Sequence, residues 1–151
     1  MGRLAIVLTV VALAGAAPAP PAMLAEPRSG APTARRTVEV RSYNLKSGRR
    51  TEFDRLASEV AVPMLRRWNV DVVAYGPSPH DDVSYYLIRA YASLADRQRS
   101  EDAFYGSDEW RQGPRDQILA LIDSYTTVVL DLDDETVKRL RRPPLAAART
   151  R

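Results

Sequence analysis

The chain has 151 residues, of which 45% are hydrophobic and 27% charged, a composition typical of one folded domain rather than of a fibrous or wholly disordered protein. It contains no cysteine and a single histidine, which excludes disulfide scaffolds, thiolate metal sites, iron–sulfur clusters and thiol nucleophiles. The formal net charge of +3 lies at the two ends, because residues 37–132 carry 12 basic and 15 acidic side chains, and a domain of that sign is a poor candidate for binding nucleic acid.

Residues 1–16 have the pattern of a secretory signal peptide. Arg3 precedes a continuous apolar run at residues 4–13, and Ala14 and Ala16 place small side chains at the two positions that signal peptidase reads. The run is too short to span a bilayer, which takes about 20 residues. We therefore expect cleavage after Ala16 and an exported protein, periplasmic or extracellular, with no membrane span once it is cleaved. The alternative is that the segment is retained as an anchor.

Two segments of biased composition flank the predicted domain. Residues 17–36 contain five prolines interleaved with Ala, Gly, Ser and Thr, and such a segment buries too little apolar surface to offset its ordering entropy. We expect it to be a disordered linker. Residues 133–151 form a charged tail that could begin with a short, weakly held helix. The predicted domain therefore occupies residues 37–132.

Within that domain the order of elements is strand, helix, strand, strand, helix, strand. The first strand alternates, and the first helix carries an apolar stripe that Pro63 should interrupt. A turn rich in Pro and Asp joins the middle strands as a hairpin, and Ser93 begins a capping box before the second helix. The predicted strands are residues 37–45, 70–75, 83–91 and 125–132, and the predicted helices include residues 49–68 and 93–105.

The order βαββαβ predicts an α+β fold, a ferredoxin-like sandwich in which helices cover one face of an antiparallel four-stranded sheet. Val38 and Val40 suit the apolar stripe of the first helix, so we expect the opposite side of the strand to face away from the helices. A partner or a ligand would then cover that side. It carries Glu39, Arg41 and Tyr43 of the first strand and Tyr85, Arg89 and Tyr91 of the third.

Residues 38–132 resemble the NIPSNAP family. The segment VEVRSYNLKSGRRTEF, residues 38–53, resembles the family's opening strand, Lys-Ser-Gly turn and helix. Residues 91–97, YASLADR, resemble its Tyr-x-Ser-Leu-x-x-Arg stretch, and Trp110 resembles its late tryptophan. Arg89 departs from the pattern, because family members often have a tryptophan at this position.

The resemblance implies a homodimer in which the sheets of two copies face each other and form a dimeric α/β barrel. It implies no particular reaction, since proteins that share the fold include cofactor-free monooxygenases, isomerases and haem enzymes, and fold alone does not choose among them.

The candidate ligand-binding residues are Arg41, Tyr43, Tyr85, Arg89 and Tyr91. If the strands present them to the space between two sheets, two guanidinium groups converge there with phenols, a combination that favours carboxylates, phosphates or enolates. The alternative is a structural network in which the arginines pair with Glu39 and the tyrosines pack across the dimer. No catalytic residue is assigned.

Cofactors and metals are not expected. His80 lies in the predicted hairpin turn beside Asp81, where it could act as a general base but is expected to be solvated. It would hold haem only if that turn folded back into the barrel, so haem is not expected. The acidic pairs at residues 81–82 and 133–134 lack the further oxygen ligands that calcium needs.

Three functions remain open. The first is an exported, dimeric protein that binds a small anionic or phenolic molecule between the paired sheets, with or without activity like that of a cofactor-free monooxygenase or isomerase. The second is a non-catalytic structural or protein-interaction module. The third is RNA binding, which is disfavoured because the domain is acidic and residues 85–91 lack the glycine and the basic start of an RNA-recognition motif.

Overall fold

The computed structural model describes residues 34–141 and contains a four-stranded antiparallel sheet with the strand order β2-β3-β1-β4. This is the ferredoxin-like arrangement, so the predicted α+β fold is confirmed. The predicted signal peptide, most of the linker and the end of the tail lie outside the described residues. The elements are β1 (Arg35–Leu45), α1 (Arg50–Leu56), a π-helical segment (Ala57–Ala61), α2 (Val62–Arg67), β2 (Asp71–Pro77), β3 (Ser84–Tyr91), α3 (Leu94–Gly106), α4 (Asp108–Arg111), α5 (Arg115–Leu119), β4 (Ile122–Asp133) and α6 (Asp134–Leu140).

The first helical region changes its hydrogen bonding just before Pro63. Proline has no N–H to donate to the preceding turn, and Pro63 is the second residue of α2, so it makes no helical bond back into the segment before it. The π-helical segment comes directly before α2 and widens the helix there. The interruption that the sequence predicts at Pro63 is therefore a widened turn within a continuous helical region.

Side-chain caps set the start of α3 and of α4. The Ser93 Oγ accepts from the backbone N–H of Asp96 at 3.1 Å, and the Asp96 carboxylate accepts from the N–H of Ala92 at 3.0 Å. These bonds form a variant of the predicted capping box, in which the Asp96 carboxylate binds the N–H of the residue before Ser93 rather than that of Ser93 itself. The Ser107 Oγ accepts from the N–H of Trp110 at 3.2 Å and caps the start of α4. Trp110 of this short helix is buried in the core.

The main core lies between the sheet and the helices α1 to α5. Tyr43 and Tyr85 are direct neighbours in the pairing of β1 with β3. The Phe53 ring of α1 packs on both, with its centroid 5.3 Å from that of Tyr43 and 5.0 Å from that of Tyr85. The side of the sheet that faces these helices is therefore strongly aromatic.

A second, smaller core lies on the other side of the sheet under α6. Val137 of this helix is 0% exposed and packs with Val38, Val73 and Ala90. The Asp133 carboxylate caps the helix by accepting from the N–H of Thr136 at 2.9 Å. The folded unit thus continues beyond residue 132, and α6 is held more firmly than its charged sequence indicates.

Ion pairs join the two ends of the described chain. Asp71 of β2 accepts from Arg36 of β1 at 2.8 Å and from Arg141, just after α6, at 2.5 Å. The N–H of Asp134 also donates to the carbonyl of Ala34 at 2.9 Å. The start of β1 and the end of α6 therefore meet at the same end of the sheet, where β2 begins.

Part of the sheet on the α6 side remains uncovered. In the strand pairing, Val40 of β1 lies between Ile88 of β3 and Val128 of β4, and Leu130 lies opposite Val38. Val128 is 49% exposed, and Leu130 is also exposed. We call Val40, Ile88, Val128 and Leu130 the open apolar patch. Across residues 34–141, no helix combines the length and the apolar character needed to cross a bilayer.

Candidate ligand-binding site

A cleft of about 610 Å³ opens between the helix-facing side of the sheet and the helices α3 to α5. Arg41 and Tyr43 of β1 form its floor with Tyr125 of β4, and α3 forms the opposite wall. We call this space the outer cleft. It is lined by Arg41, Tyr43, Gln98, Glu101, Asp102, Tyr105, Gly106, Trp110, Arg115, Ile118, Leu119, Ile122 and Tyr125.

Behind the floor of the cleft, Glu39 is buried among guanidinium groups. Its side chain is 0% exposed and accepts from the Nη2 of Arg89 at 2.5 Å, with the Nη2 of Arg41 at 3.0 Å. The Nε of Arg97, on α3, donates to its other carboxylate oxygen. Both oxygens of Glu39 are therefore bonded, which is what a buried carboxylate requires.

Glu101 of α3 is the second carboxylate of this cluster and lies in the wall of the cleft. Its carboxylate oxygens lie 2.6 Å from the Nη2 of Arg89, 2.9 Å from that of Arg97 and 3.3 Å from that of Arg41. We call the three arginines with Glu39 and Glu101 the ion cluster. It holds three positive and two negative charges, so one positive charge has no carboxylate of its own within the cluster.

Tyr105 connects the cluster to the cleft. Its hydroxyl oxygen accepts from Arg41 Nη1 at 3.0 Å and from Arg89 Nη1 at 3.0 Å. The Arg41 guanidinium carbon also lies 5.8 Å from the centre of the Tyr105 ring and 5.1 Å from that of Tyr125. Arg41 is thus held between two aromatic rings at the surface of the cleft.

Some buried polar atoms of this region have no hydrogen-bond partner. Within residues 34–141, the Nε of Arg41, the Nε of Arg89 and the hydroxyl of Tyr91 are buried and unpaired. Buried polar atoms in native proteins almost always have partners, and each exception calls for a reason. Of these three residues Arg41 lines the outer cleft, so one spare donor belongs to a residue beside that space.

The environment separates the pKa values of the two carboxyl groups. Burial on its own would raise the pKa of Glu39, but the charge of Arg89 and the hydrogen bonds it receives outweigh burial and lower the pKa to about 2. Burial and the adjacent Glu39 raise the pKa of Glu101 above its ordinary value. Burial also raises the pKa of Tyr43 to about 12, so its phenol stays protonated near neutral pH. Glu39 therefore acts as a permanent anion, and Glu101 is the carboxyl group more easily protonated.

A smaller space lies deeper, between the π-helical segment and the sheet. It has a volume of about 50 Å³, and we call it the inner cavity. Its walls are mostly apolar and aromatic. They are formed by Tyr43, Phe53, Ala57, Ala61, Val62, Leu65, Tyr75, Tyr85, Leu87, Phe104, Tyr105, Trp110 and Ile118.

The structure corrects the direction in which the candidate residues face. Alternation groups them correctly, because Arg41 and Arg89 both reach Tyr105 of α3, while the tyrosines belong to the main core. The expectation that this side faces away from the helices is wrong. Large rings and long guanidinium stems bury more apolar area under α1 and α3 than Val38 and Val40 would, and Glu39 neutralises charge within the layer.

The five candidates consequently have different positions. Arg41 and Tyr43 line the outer cleft, and Tyr43 and Tyr85 line the inner cavity. Tyr85 donates from its hydroxyl to Asp54 at 2.7 Å. Arg89 and Tyr91 line neither space; Arg89 is 1% exposed and lies behind Arg41 in the ion cluster.

Sequence reasoning missed the side chains that α3 contributes. Arg97, Glu101 and Tyr105 are four residues apart, so they form one stripe on this helix, and all three meet the arginines of the sheet or Glu39. A polar stripe on a helix that is expected to pack on a sheet indicates buried polar contacts, so the sequence does contain a pattern from which these residues can be predicted. His80 lies in an exposed turn, where its backbone N–H donates to Ser78 Oγ at 3.1 Å, and no group of metal-ligating side chains occurs in the described part of the chain.

Solved structures of NIPSNAP proteins share this fold. A NIPSNAP family protein from Agrobacterium tumefaciens matches with a TM-score of 0.60 and 21% identity over 66% of this chain and 87% of the other. A second from that organism, of unknown function, has a TM-score of 0.61 and 19% identity over 66% and 90%. A NIPSNAP domain protein from Burkholderia xenovorans has a TM-score of 0.57 and 16% identity over 62% and 91%.

No protein-family model matches the chain, and no curated protein matches it. At identities this low, structural likeness is informative about the fold alone. The resemblance of residues 38–132 is therefore confirmed as a NIPSNAP-like fold.

Proposed function

We propose that this protein binds a small anionic or phenolic molecule in the outer cleft. The observation that carries the proposal is the position of Arg41, which lies in the floor of the cleft between the rings of Tyr105 and Tyr125. It belongs to a cluster with one more positive than negative charge. A guanidinium group in this setting favours a carboxylate or phenolate oxygen. The site is the space between sheet and helices rather than the space between two sheets.

Binding of benzoate to the purified protein, followed by titration calorimetry, tests this proposal. The Arg41→Gln variant keeps a polar side chain but removes the guanidinium charge, and we expect it to weaken binding at least about tenfold. Arg35→Gln is the matched control. Arg35 lies on the same strand, is exposed and pairs with Asp131 at 2.9 Å, so its loss should leave binding unchanged.

Equal binding by both variants, or no binding by the unaltered protein to benzoate and to phenol, would contradict the proposal. The alternative function, a non-catalytic protein-interaction module, would then be favoured. Native mass spectrometry of the protein purified from its own host would identify the natural ligand directly.

We also propose that two copies associate through the open apolar patch. The corrected direction of the tyrosines removes them from this contact and leaves Val40, Ile88, Val128 and Leu130. An uncharged patch suits an isologous contact, because the same surface meets itself and no like charges are brought together. Exposed apolar side chains on a long edge strand are otherwise an aggregation risk.

The proposal for location is that residues 1–16 direct export. The support is the sequence pattern alone, an apolar run followed by Ala14 and Ala16. N-terminal sequencing of the protein from the exported fraction should find a mature chain that starts near Ala17. An intact Met1 in a soluble cytoplasmic fraction would overturn it.

A further inference from the structure

The outer cleft and the inner cavity are neighbouring spaces that differ in charge: charged side chains are part of the wall of the first, whereas the walls of the second are apolar or aromatic. They share four wall residues, Tyr43, Tyr105, Trp110 and Ile118. On one side of this shared wall lie the guanidinium of Arg41 and the carboxylate of Glu101. On the other side the walls are mostly apolar. A molecule that reached from one space into the other would meet charge at one end and hydrocarbon at the other.

The inner cavity exists because small side chains face it from the π-helical segment. Ala57 and Ala61 are the first and last residues of that segment, and both line the cavity. Protein cores are normally packed with few voids, and two added methyl groups here would take up much of the space. One water needs about 10 to 15 Å³ of such space, so a volume of about 50 Å³ admits a short branched alkyl group but not a second ring.

At the polar end, Tyr105 offers a hydrogen-bond donor in addition to Arg41. A phenol oxygen has two acceptor positions and one proton, and guanidinium groups of Arg41 and Arg89 occupy both acceptor positions. No acceptor within residues 34–141 takes the Tyr105 proton. Two charge-assisted bonds to the oxygen polarise the O–H, which makes it a stronger donor to an anion in the cleft.

We propose that the ligand is an amphipathic oxyanion whose carboxylate or phenolate oxygen binds Arg41 and the Tyr105 hydroxyl and whose short branched alkyl group occupies the inner cavity beneath Ala57 and Ala61. This inference rests on the proposed function, since it specifies the ligand of the same site. It predicts that affinity grows with the apolar substituent up to the size of the cavity and falls beyond it.

Titration calorimetry with benzoate and 4-isopropylbenzoate on the purified protein tests the inference. The isopropyl group should raise affinity by about tenfold or more, because it moves three carbon atoms from water into the cavity. In the Ala61→Val variant, which fills the cavity, this gain should disappear while benzoate binds as before. Ala103→Val makes the same change at an exposed position of α3 and should keep the full gain.

The outcomes separate the inference from the proposed function. If benzoate binds and the isopropyl group gives no gain, or if Ala61→Val keeps the gain, the inner cavity is not used and the inference is overturned. If neither compound binds, the proposed function fails with it. Should Ala61→Val unfold, Ala57→Val provides the same test from the other end of the π-helical segment.

Discussion

Glu39 has an unusual position for a carboxylate, since its side chain is fully enclosed and bonded to Arg41, Arg89 and Arg97. Placing a charge in such an environment costs several kcal/mol, which only close partners can offset. Removing one partner leaves the others buried without compensation. The stability of the helix layer over the sheet therefore depends on this residue more than on any surface ion pair.

We expect Glu39→Gln to lower the free energy of unfolding by about 3 to 5 kcal/mol, the usual cost of breaking a buried ion pair from one side. Urea unfolding at pH 7 measures it. Glu135→Gln is the control, because Glu135 is exposed and its pair with Lys138 should contribute at most about 0.5 kcal/mol. A similar small change in both variants would mean that Glu39 does not stabilise the fold through the ion cluster.

The same residue predicts how stability depends on pH. Its pKa is about 2 in the folded protein against an ordinary 4.5, so the stabilisation from Glu39 is complete above about pH 4.5 and is lost as the pH falls toward 2. The raised pKa of Glu101 has the opposite effect, because protonation of Glu101 as the pH falls favours the folded protein. The difference in unfolding free energy between the unaltered protein and Glu39→Gln should therefore shrink from pH 5 to pH 2. A constant difference over that range would refute the pKa shift.

At the scale of single residues, the sequence predicts which side chains share one side of a strand better than it predicts which side faces the helices. The two-residue period of a strand puts Arg41 and Tyr43 on one side regardless of the fold around them. Which side faces the helices depends on the total area that both sides bury. Val38 and Val40 also suit a helix-facing side, and the structure shows that α6 packs on Val38 instead. The sequence does not predict the ion pairs of Glu101, because this residue meets the arginines only through the packing of α3 on the sheet.

At the scale of elements, α6 depends on a single apolar anchor. Val137 is fully buried against β1, β2 and β3, whereas the residues around it are charged. We expect Val137→Ala to cost about 2 kcal/mol, since it removes buried methyl groups and leaves a void. Leu140→Ala, at the 39% exposed end of the helix, is the control and should cost well under half of that. Urea unfolding of both variants checks the prediction, and equal effects would mean that α6 is not anchored through Val137.

The types of the main elements followed from local signals, but some boundaries and the attachment of the elements did not, since β4 begins at Ile122 rather than at residue 125. Ser93 identified the start of α3 because a capping box is made by neighbours in sequence, and Pro63 identified an irregular helix for the same reason. The π-helical form of that irregularity and the firm docking of α6 depend on distant partners. For α6 the partner is the apolar surface around Val38, which sequence reasoning had assigned to the other helices.

At the scale of the whole molecule, the proposed dimer predicts a specific mutational effect. Val128→Asp puts a charge in the open apolar patch and should shift the protein from dimer to monomer at micromolar concentration in sedimentation experiments, because the partner's own Asp lies near it across the two-fold axis. Leu94→Asp makes the same kind of change at a residue that is 65% exposed on α3 and should remain dimeric. An unaltered protein that sediments as a monomer at this concentration would contradict the proposal.

The meeting of β1 and α6 at Asp71 predicts that the described part of the chain tolerates circular permutation. Since Arg36 and Arg141 bind the same carboxylate, a short Gly-Ser connection could join the chain after residue 141 to residue 34 without moving either element. New ends could be opened in the exposed turn between Ser47 and Gly48, away from the ion cluster. Such a circular permutant would begin with α1 and finish with β1, its central strand, and it should reach the same ferredoxin-like sheet and the same outer cleft.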